Sequence, residues 1–440
     1  MARVWQVVGI WLLATTTLSA QAVRSSLEPR VAVGKNLSPA GMLLERAAAN
    51  RPWQYAEPAA QVFTRDRLLA LPGTQADVEA AGGKVALTLW GNVPQLSQFA
   101  GFQSEVVLHD TKAFDLDFTL AAGRVVLTSK KAGPVKVWVR LPGLVEGRAA
   151  VPEFGACELT FAAEGDSVAL EIHGRWPRGV PFSSLLRAGA APNSLCAVTV
   201  LKGSVELKTG SVQHTLSAPP GPAVLTWDSE SGPGTPQRLD KVPDWAAGTA
   251  PGVKVFAEVA KRYEAARAGR APLEALLELI SASAKDEDAT RAVTSRQFAV
   301  VSLAAIDELA RVGGAVELAR WPEVRDVAVV ALRHHIGESP GRDVALFNLL
   351  VGSLNYPEAA ADAVLQLLHS PFDPDQPETY AALLAYLRHP RPAVRELARW
   401  HLERYLPDGK KIGFDATADE AARDKAIAAW KKLIDERPGK

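Results

Sequence analysis

The sequence predicts a multidomain chain, an all-β body of sandwich, roll or solenoid type followed by an all-α stack of helix pairs. Three observations predict it. Between residues 68 and 227 short apolar segments alternate with period two. A Pro- and Gly-rich stretch follows them. Beyond Val253 apolar residues recur at helical spacing inside a repeating unit. At 440 residues, 48% apolar and 22% charged, the chain has the length and composition for two or three packed cores. Its formal net charge of zero argues against a general nucleic-acid or anionic-membrane role, since both depend on excess Lys and Arg.

In chain order the first element is "MARVWQVVGIWLLATTTLSAQA". Arg3 precedes an apolar run from Val4 to Ala14, and Ala20-Gln21-Ala22 closes it. This is the layout of a secretory signal peptide over residues 1–22, cleaved after Ala22, with an apolar run short for a membrane span. Export to the periplasm or outside the cell is therefore expected, with membrane attachment only if this segment stays uncleaved.

The β body is expected over 37–228. "GMLLERAAANRPWQYAEP" has helical propensity, but Pro52 and Pro58 bracket its aromatic run and favour strands. Further strands are read in "KVALTLWG", "VVLTS", "VKVWVRL", "SVALEIHG", "AVTVLKGSVELKTG" and "AVLTWD", each punctuated by Gly, Pro or Asp. Cys157 and Cys196, the sole cysteines, fall here; in an oxidising compartment they pair as a disulfide or stay separate buried thiols. Residues 229–252 read as an irregular linker.

The helical part is expected over 253–440. Pro322, Pro357 and Pro392 stand 35 residues apart, and with them Ala328, Ala363 and Ala398 superpose, as do Leu332, Leu367 and Leu402. "TSRQFAVVSL" carries a shorter-spaced fourth copy through Ala299. Proline suits a first helical turn, and the alanine lets a neighbouring helix approach. In the last copy Val394, Leu397, Ala398 and Leu402 share one face, with Arg395, Glu396 and Arg399 opposite. Partner helices are expected at about 342–352 and 378–388. A terminal helix is expected from Thr417 to about Leu433, because "TADE" fits a capping box. One helix pair cannot cover its own apolar face, so pairs stack as a solenoid.

Pro-x-Val-Arg followed by x-x-Ala-x-x-x-Leu, at Pro322–Leu332 and Pro392–Leu402, resembles the second helix of HEAT repeats; in the middle copy Ala360 replaces the arginine. The β half is similar to the FecR family of envelope sensor domains. The likeness lies in "RDRLLALPGTQADVEAAGGKVALTLWG", "FDLDFTLAAGRVVLTSKKAGPVKVWV" and "AVTVLKGSVELKTGSVQHTLSAPPGP", whose glycine-centred strands map to Gly123–Leu127 and Val200–Leu207. The resemblance implies an envelope sensing role. The departure is that only Met1–Arg3 precede the apolar run, which leaves no cytoplasmic segment of the kind that family uses on sigma factors.

Signals of catalysis are weak. "GESPG" at Gly337–Gly341 matches a nucleophile elbow, but Pro340 has no N–H to donate to an oxyanion, so an inter-helix turn is expected. His334 and His335 are adjacent and diverge, His369 repeats the position of His334, and solvated or helix-end positions are expected for them. Asp115 and Asp117 share one strand face and could serve acid–base work or Ca²⁺; an edge or solvent-facing strand is the better account of them. Trp90, Trp138, Trp176 and Trp227 are candidates for glycan stacking or for core. The expected function is thus an exported, non-enzymatic sensor or scaffold acting on a protein partner, without cofactor, metal or catalytic residue. A carbohydrate- or cell-wall-binding module is the alternative, and a hydrolase built on Asp115 and Asp117 ranks third.

Overall fold

The structure, a computed structural model, describes residues 30–48, 51–91, 103–141, 155–177, 179–184, 191–229, 231–246, 261–285, 309–310, 313–321 and 324–437. The signal segment with Ala22, the copy holding Ala299, and Pro322 lie outside the described residues. The described residues from Val31 onward form one compact unit, with a β-rich part followed by a helical part.

Strands account for the first half. The N-terminal set is β1 (Ala32–Asn36), β2 (Leu44–Arg46), β3 (Gln54–Tyr55), β4 (Gln61–Phe63), β5 (Arg67–Ala70), β6 (Gln75–Ala80), β7 (Val85–Trp90) and β8 (Ser104–His109). The central set is β9 (Leu116–Ser129), β10 (Val135–Arg140), β11 (Ala156–Phe161), β12 (Ser167–Arg175) and β13 (Asn193–Thr209). Then come β14 (Val212–Ala218), β15 (Ala223–Asp228), β16 (Gly232–Pro233) and β17 (Gln237–Arg238). The alternating segments are strands as expected; the bracketed aromatic run gives β3, and the stretch before it gives β2. One expectation is corrected: the stretch after 228 is not wholly irregular, because β16 and β17 pair with β15.

Two strands decide the shape. The first half of β9 pairs with β8 and β10, and its second half with β7 and β12. Likewise β13 pairs with β12 and β15 early, and with β11 and β14 late. Both strands therefore pass from one sheet to the other, and β9–β12–β13–β11–β10 closes into a ring. The pass occurs at Gly123 (φ +79°) and Gly203 (φ +81°), where left-handed backbone lets the strand turn. At Gly123 the Gln103 carbonyl also occupies the place of a Cβ. Alternate residues of both sheets, among them Phe118, Leu127, Leu159, Phe161, Val168 and Leu207, fill one apolar core.

The helices whose full bounds are described are α1 (Pro272–Lys285), α2 (Gly314–Leu318), α3 (Arg325–Gly337), α4 (Arg342–Gly352), α5 (Glu358–His369), α6 (Pro377–Tyr386), α7 (Pro392–Tyr405) and α8 (Glu420–Asp435). α4 spans the residues expected of it. "GESPG" is the turn between α3 and α4, with Gly341 at φ +80°. α3 packs on α4 and α5, α5 on α4 and α7, and α7 on α6. Ala328, Ala363 and Ala398 are all buried, as are Leu332, Leu367 and Leu402, within a single apolar cluster.

Two helical expectations change. α8 is capped by Asp419, whose carboxylate accepts from the Ala422 amide at 2.8 Å, and not by Thr417. The Thr417 hydroxyl and amide both donate to Asp415, at 2.7 Å, two residues ahead of the capping Asp419. The polar side of α7 is not solvated: Arg395, Glu396, His401 and Glu403 are all buried. Arg395 donates to the carbonyls of Ala416 and Pro390, each at 2.8 Å, which no helical wheel can show.

His401 carries a pH expectation. Burial first, then the nearby Arg333, pushes its imidazole down to about 3, while its Nε2 bonds the Leu367 carbonyl at 2.7 Å. Because the folded value lies below the ordinary 6.5, this stability is complete above pH 6.5 and is lost as pH falls from 6.5 to 3. Replacing His401 with Gln should flatten the pH dependence of the urea midpoint in that window by about one proton, roughly 1.4 kcal/mol per pH unit. An unchanged slope would refute the assignment.

Candidate functional site

Three places hold the residues that carry chemistry: a groove beside β1, the core thiols, and a seam where the helices meet the β body.

The groove, about 440 Å³, lies between β1 and the turn joining β8 to β9, and collects Lys35, Glu79, His109, Asp110, Asp115 and Asp117. The Asp115–Asp117 pair thus does reach a concave surface. Each carboxylate is nonetheless occupied. Asp117 is buried and takes a two-pronged contact from Arg140, at 2.8 and 2.7 Å. Asp115 accepts from Lys84 Nζ at 2.6 Å and from the Lys136 amide at 3.0 Å. Burial raises the Asp115 carboxyl, but the bonds from Lys84 and Lys136 outweigh it and hold the group below the usual carboxylate range. A glycosidase-type pair needs one carboxyl kept protonated, and Asp115 is driven the opposite way. His109 bonds the Thr119 hydroxyl at 2.7 Å, and burial, then Arg140, lowers its basicity.

The four tryptophans form no platform. Trp227 is buried in the β core. Trp90 and Trp138 are half-buried on strands of different sheets, β7 and β10, and Trp138 stacks on Phe114 at 5.1 Å. Trp176 belongs to the seam.

Cys157 and Cys196 are both buried and unbonded, so of the two outcomes weighed from sequence the structure holds separate thiols. They sit on strands of opposite sheets, Cys157 facing Val139 across β10 and Cys196 paired with Ile172 and Trp227. Burial pushes the Cys157 thiol up to about 12 and also raises Cys196. Since the thiolate is the reactive form, iodoacetamide should modify neither in the native protein and both after denaturation, counted by intact mass. Rapid native labelling of either would sink this placement.

The seam is built from β12, the segment after it, and α3 to α5. Gly174 and Gly337 meet backbone to backbone: a Cβ on Gly174 would overlap the Gly337 carbonyl, and one on Gly337 would lie 2.7 Å from the Gly174 oxygen. Around this contact, Trp176 Nε1 donates to the Ile336 carbonyl at 2.9 Å, and Gln103 Nε2 donates to Glu338 at 2.9 Å. Gln366 exchanges two bonds with the Phe182 backbone, at 3.2 and 2.9 Å. His369 lies 4.4 Å from the Trp176 ring and 5.5 Å from Phe182, with Nε2 3.2 Å from Asp343. His334 Nε2 is 3.2 Å from Glu338, which also pairs with Arg342. On the β side Arg124 pairs with Glu171 at 2.5 Å, and His173 stands 4.0 Å from Glu171.

Here the sequence expectation for the histidines is corrected. His334 and His369 do stand in the last turns of α3 and α5, but they are buried inside the seam and not solvated. Their shared repeat position was the available signal. Part of what they face, Trp176 and Phe182 beside His369, comes from far earlier in the chain, and no periodicity reports that. Among the described residues no group of three or more His, Cys, Asp or Glu is arranged to hold a metal ion. No described helix is long and apolar enough to cross a membrane. Comparison with protein-family models, curated proteins and solved structures finds no match to the chain.

Proposed function

We propose that the protein is an exported, non-enzymatic sensor or scaffold of the cell envelope that works through protein–protein contacts, its β body FecR-like and its helices HEAT-like. The observation that carries this reading is the seam, which joins an all-β body and a helix array through a water-excluding polar contact. Such a joint suits a molecule that presents two surfaces in fixed relation. The buried Ala328–Ala363–Ala398 spine and the neighbour pattern of α3 to α7 support a HEAT-like stack, whose exposed side offers a long binding face. The ion-paired state of Asp115 and Asp117 weighs against the hydrolase reading, and the scattered tryptophans weigh against a glycan platform.

The test is affinity capture from an envelope fraction with the full chain at pH 7.5, followed by titration of the captured protein in purified form. A saturable complex supports the proposal. Retention of glycan that is abolished by Trp138→Ala would move the assignment to the carbohydrate-binding alternative. Turnover lost in both Asp115→Asn and Asp117→Asn would overturn the non-enzymatic reading. Export is tested on the same preparation, whose mature chain should begin at Val23.

A further inference from the structure

We propose that Arg333 on α3 and Arg404 on α7, both set against the buried ring of Trp400, form a docking site for an acidic segment of a partner protein. This rests on the protein-binding reading above and names the chemistry of the partner.

The site holds positive charge that nothing inside the chain answers. The Arg333 guanidinium lies 5.7 Å and the Arg404 guanidinium 5.3 Å from the centre of the Trp400 ring, so one indole carries two cations. Among the described residues neither arginine has a carboxylate within ion-pair distance. Glu396 and Glu403, the acids of α7, are committed to Arg325 and Arg399. The ring quadrupole attracts each guanidinium but leaves their mutual repulsion in place. Burial, then Arg404, lowers Arg333 to about 10, and what opposes that fall is the Tyr405 phenol, not an acid. Carboxylates brought to these two cations would supply the missing counter-charge through charge-assisted hydrogen bonds.

The geometry is held ready for such a contact. Arg333 Nη1 donates to the Leu368 carbonyl in the last turn of α5, at 2.8 Å, which anchors the planar fork while leaving its other donors without a bond in the described chain. Arg404 is exposed and makes no hydrogen bond there. Both cations sit against one ring, near enough for a single short acidic segment to reach the two. The helices that meet here, α3, α5 and α7, pack on one another and are those carrying Ala328, Ala363 and Ala398. A partner segment laid along that row of repeats would cross the site.

The test titrates the full chain at pH 7.5 and low salt with a rhodamine-labelled, end-blocked hexaglutamate, read by fluorescence anisotropy. Hexaglutamine and inorganic phosphate are the comparison probes. Expected are saturable binding of hexaglutamate, none of hexaglutamine, and loss of the signal as sodium chloride is raised. Arg404→Gln should weaken binding about 5- to 10-fold with the thermal midpoint unchanged. Arg333→Lys keeps the charge but loses the fork, and should weaken it as well. Lys208→Gln, at an exposed lysine of β13, should leave it unaltered. If Arg333→Lys fails to fold, Arg404→Gln carries the test. No binding, binding undiminished in Arg404→Gln, or an equal loss in Lys208→Gln would each overturn the site. Displacement of hexaglutamate by phosphate at equal concentration would overturn the acidic-segment assignment in favour of a small free anion. Partner capture reads the scaffold proposal separately: a chain that binds hexaglutamate here yet retains no envelope protein fails only as a scaffold. One whose captured partner binds Arg404→Gln equally well fails only at this site.

Discussion

Arg325→Met is expected to destabilise the protein by about 3–5 kcal/mol at neutral pH, read from urea or guanidinium midpoints. Arg325 opens α3 and is buried, and it reaches α7, where Nη1 lies 3.2 Å from Glu396 and Nη2 3.3 Å from Glu403. Both acids are themselves buried, and Arg399 on α7, at 3.6 Å from Glu396 and 2.6 Å from Glu403, is their remaining cation. Burial raises the Glu396 carboxyl, and Arg325 is the leading influence that lowers it. Without the guanidinium, two carboxylates share one partner in a poorly hydrated site, and that imbalance is costlier than the lost bonds. Adding Glu396→Gln to Arg325→Met should recover at least about half of the loss, since the uncompensated charge goes with it. A single-variant effect below about 1 kcal/mol would show that the cluster is solvated.

The second large effect is expected at the corner of β9. Gly123→Ala should remove at least about 4 kcal/mol, or prevent folding, because two independent penalties fall on one methyl group. Its φ of +79° is unfavourable for any residue with a Cβ, and the Gln103 carbonyl fills the place that Cβ would take. The backbone cannot yield cheaply, since Gly123 is the point where β9 leaves β8 and joins β7 and β12. A useful comparison is Gly82→Ala, also at positive φ (+63°) but with nothing within 4 Å of its Cβ, for which only about 1–2 kcal/mol is expected. Equal effects at the two positions would mean that conformation, not crowding, dominates at Gly123.

The two positions also show how far one sequence can be read. The repeat that aligned Ala328, Ala363 and Ala398 is a local record, because helical spacing and burial of one face leave their period in the chain. The strands were legible for the same reason, and Gly123 and Gly203 stood out as glycines centred in apolar segments. That they are corners shared by two sheets was not legible, since the residues they crowd against, Gln103 and Asp166, have no fixed sequence offset from them.

The same limit applies at the seam. The segment holding Gly337 reads as an inter-helix turn; Gly337 is the last residue of α3, and its tighter constraint comes from Gly174, 163 residues away. In the middle repeat Ala360 stands in place of the arginine; in three dimensions it is buried on α5, and Arg325 finds its acids four helices on, in α7.

Period, punctuation and composition by themselves determined an all-β part before an all-α part, the repeat spine, and which glycines and prolines interrupt each element. These are properties of neighbours along the chain, where geometry is set by bond rotation and by the face each element buries. Only the tertiary structure decided which polar groups are dry, where Arg325, His173 and His334 find their partners, and that the two parts share a seam. Charge pairing and desolvation act through space over a few ångströms, and the residues they join lie tens to hundreds of positions apart in the sequence.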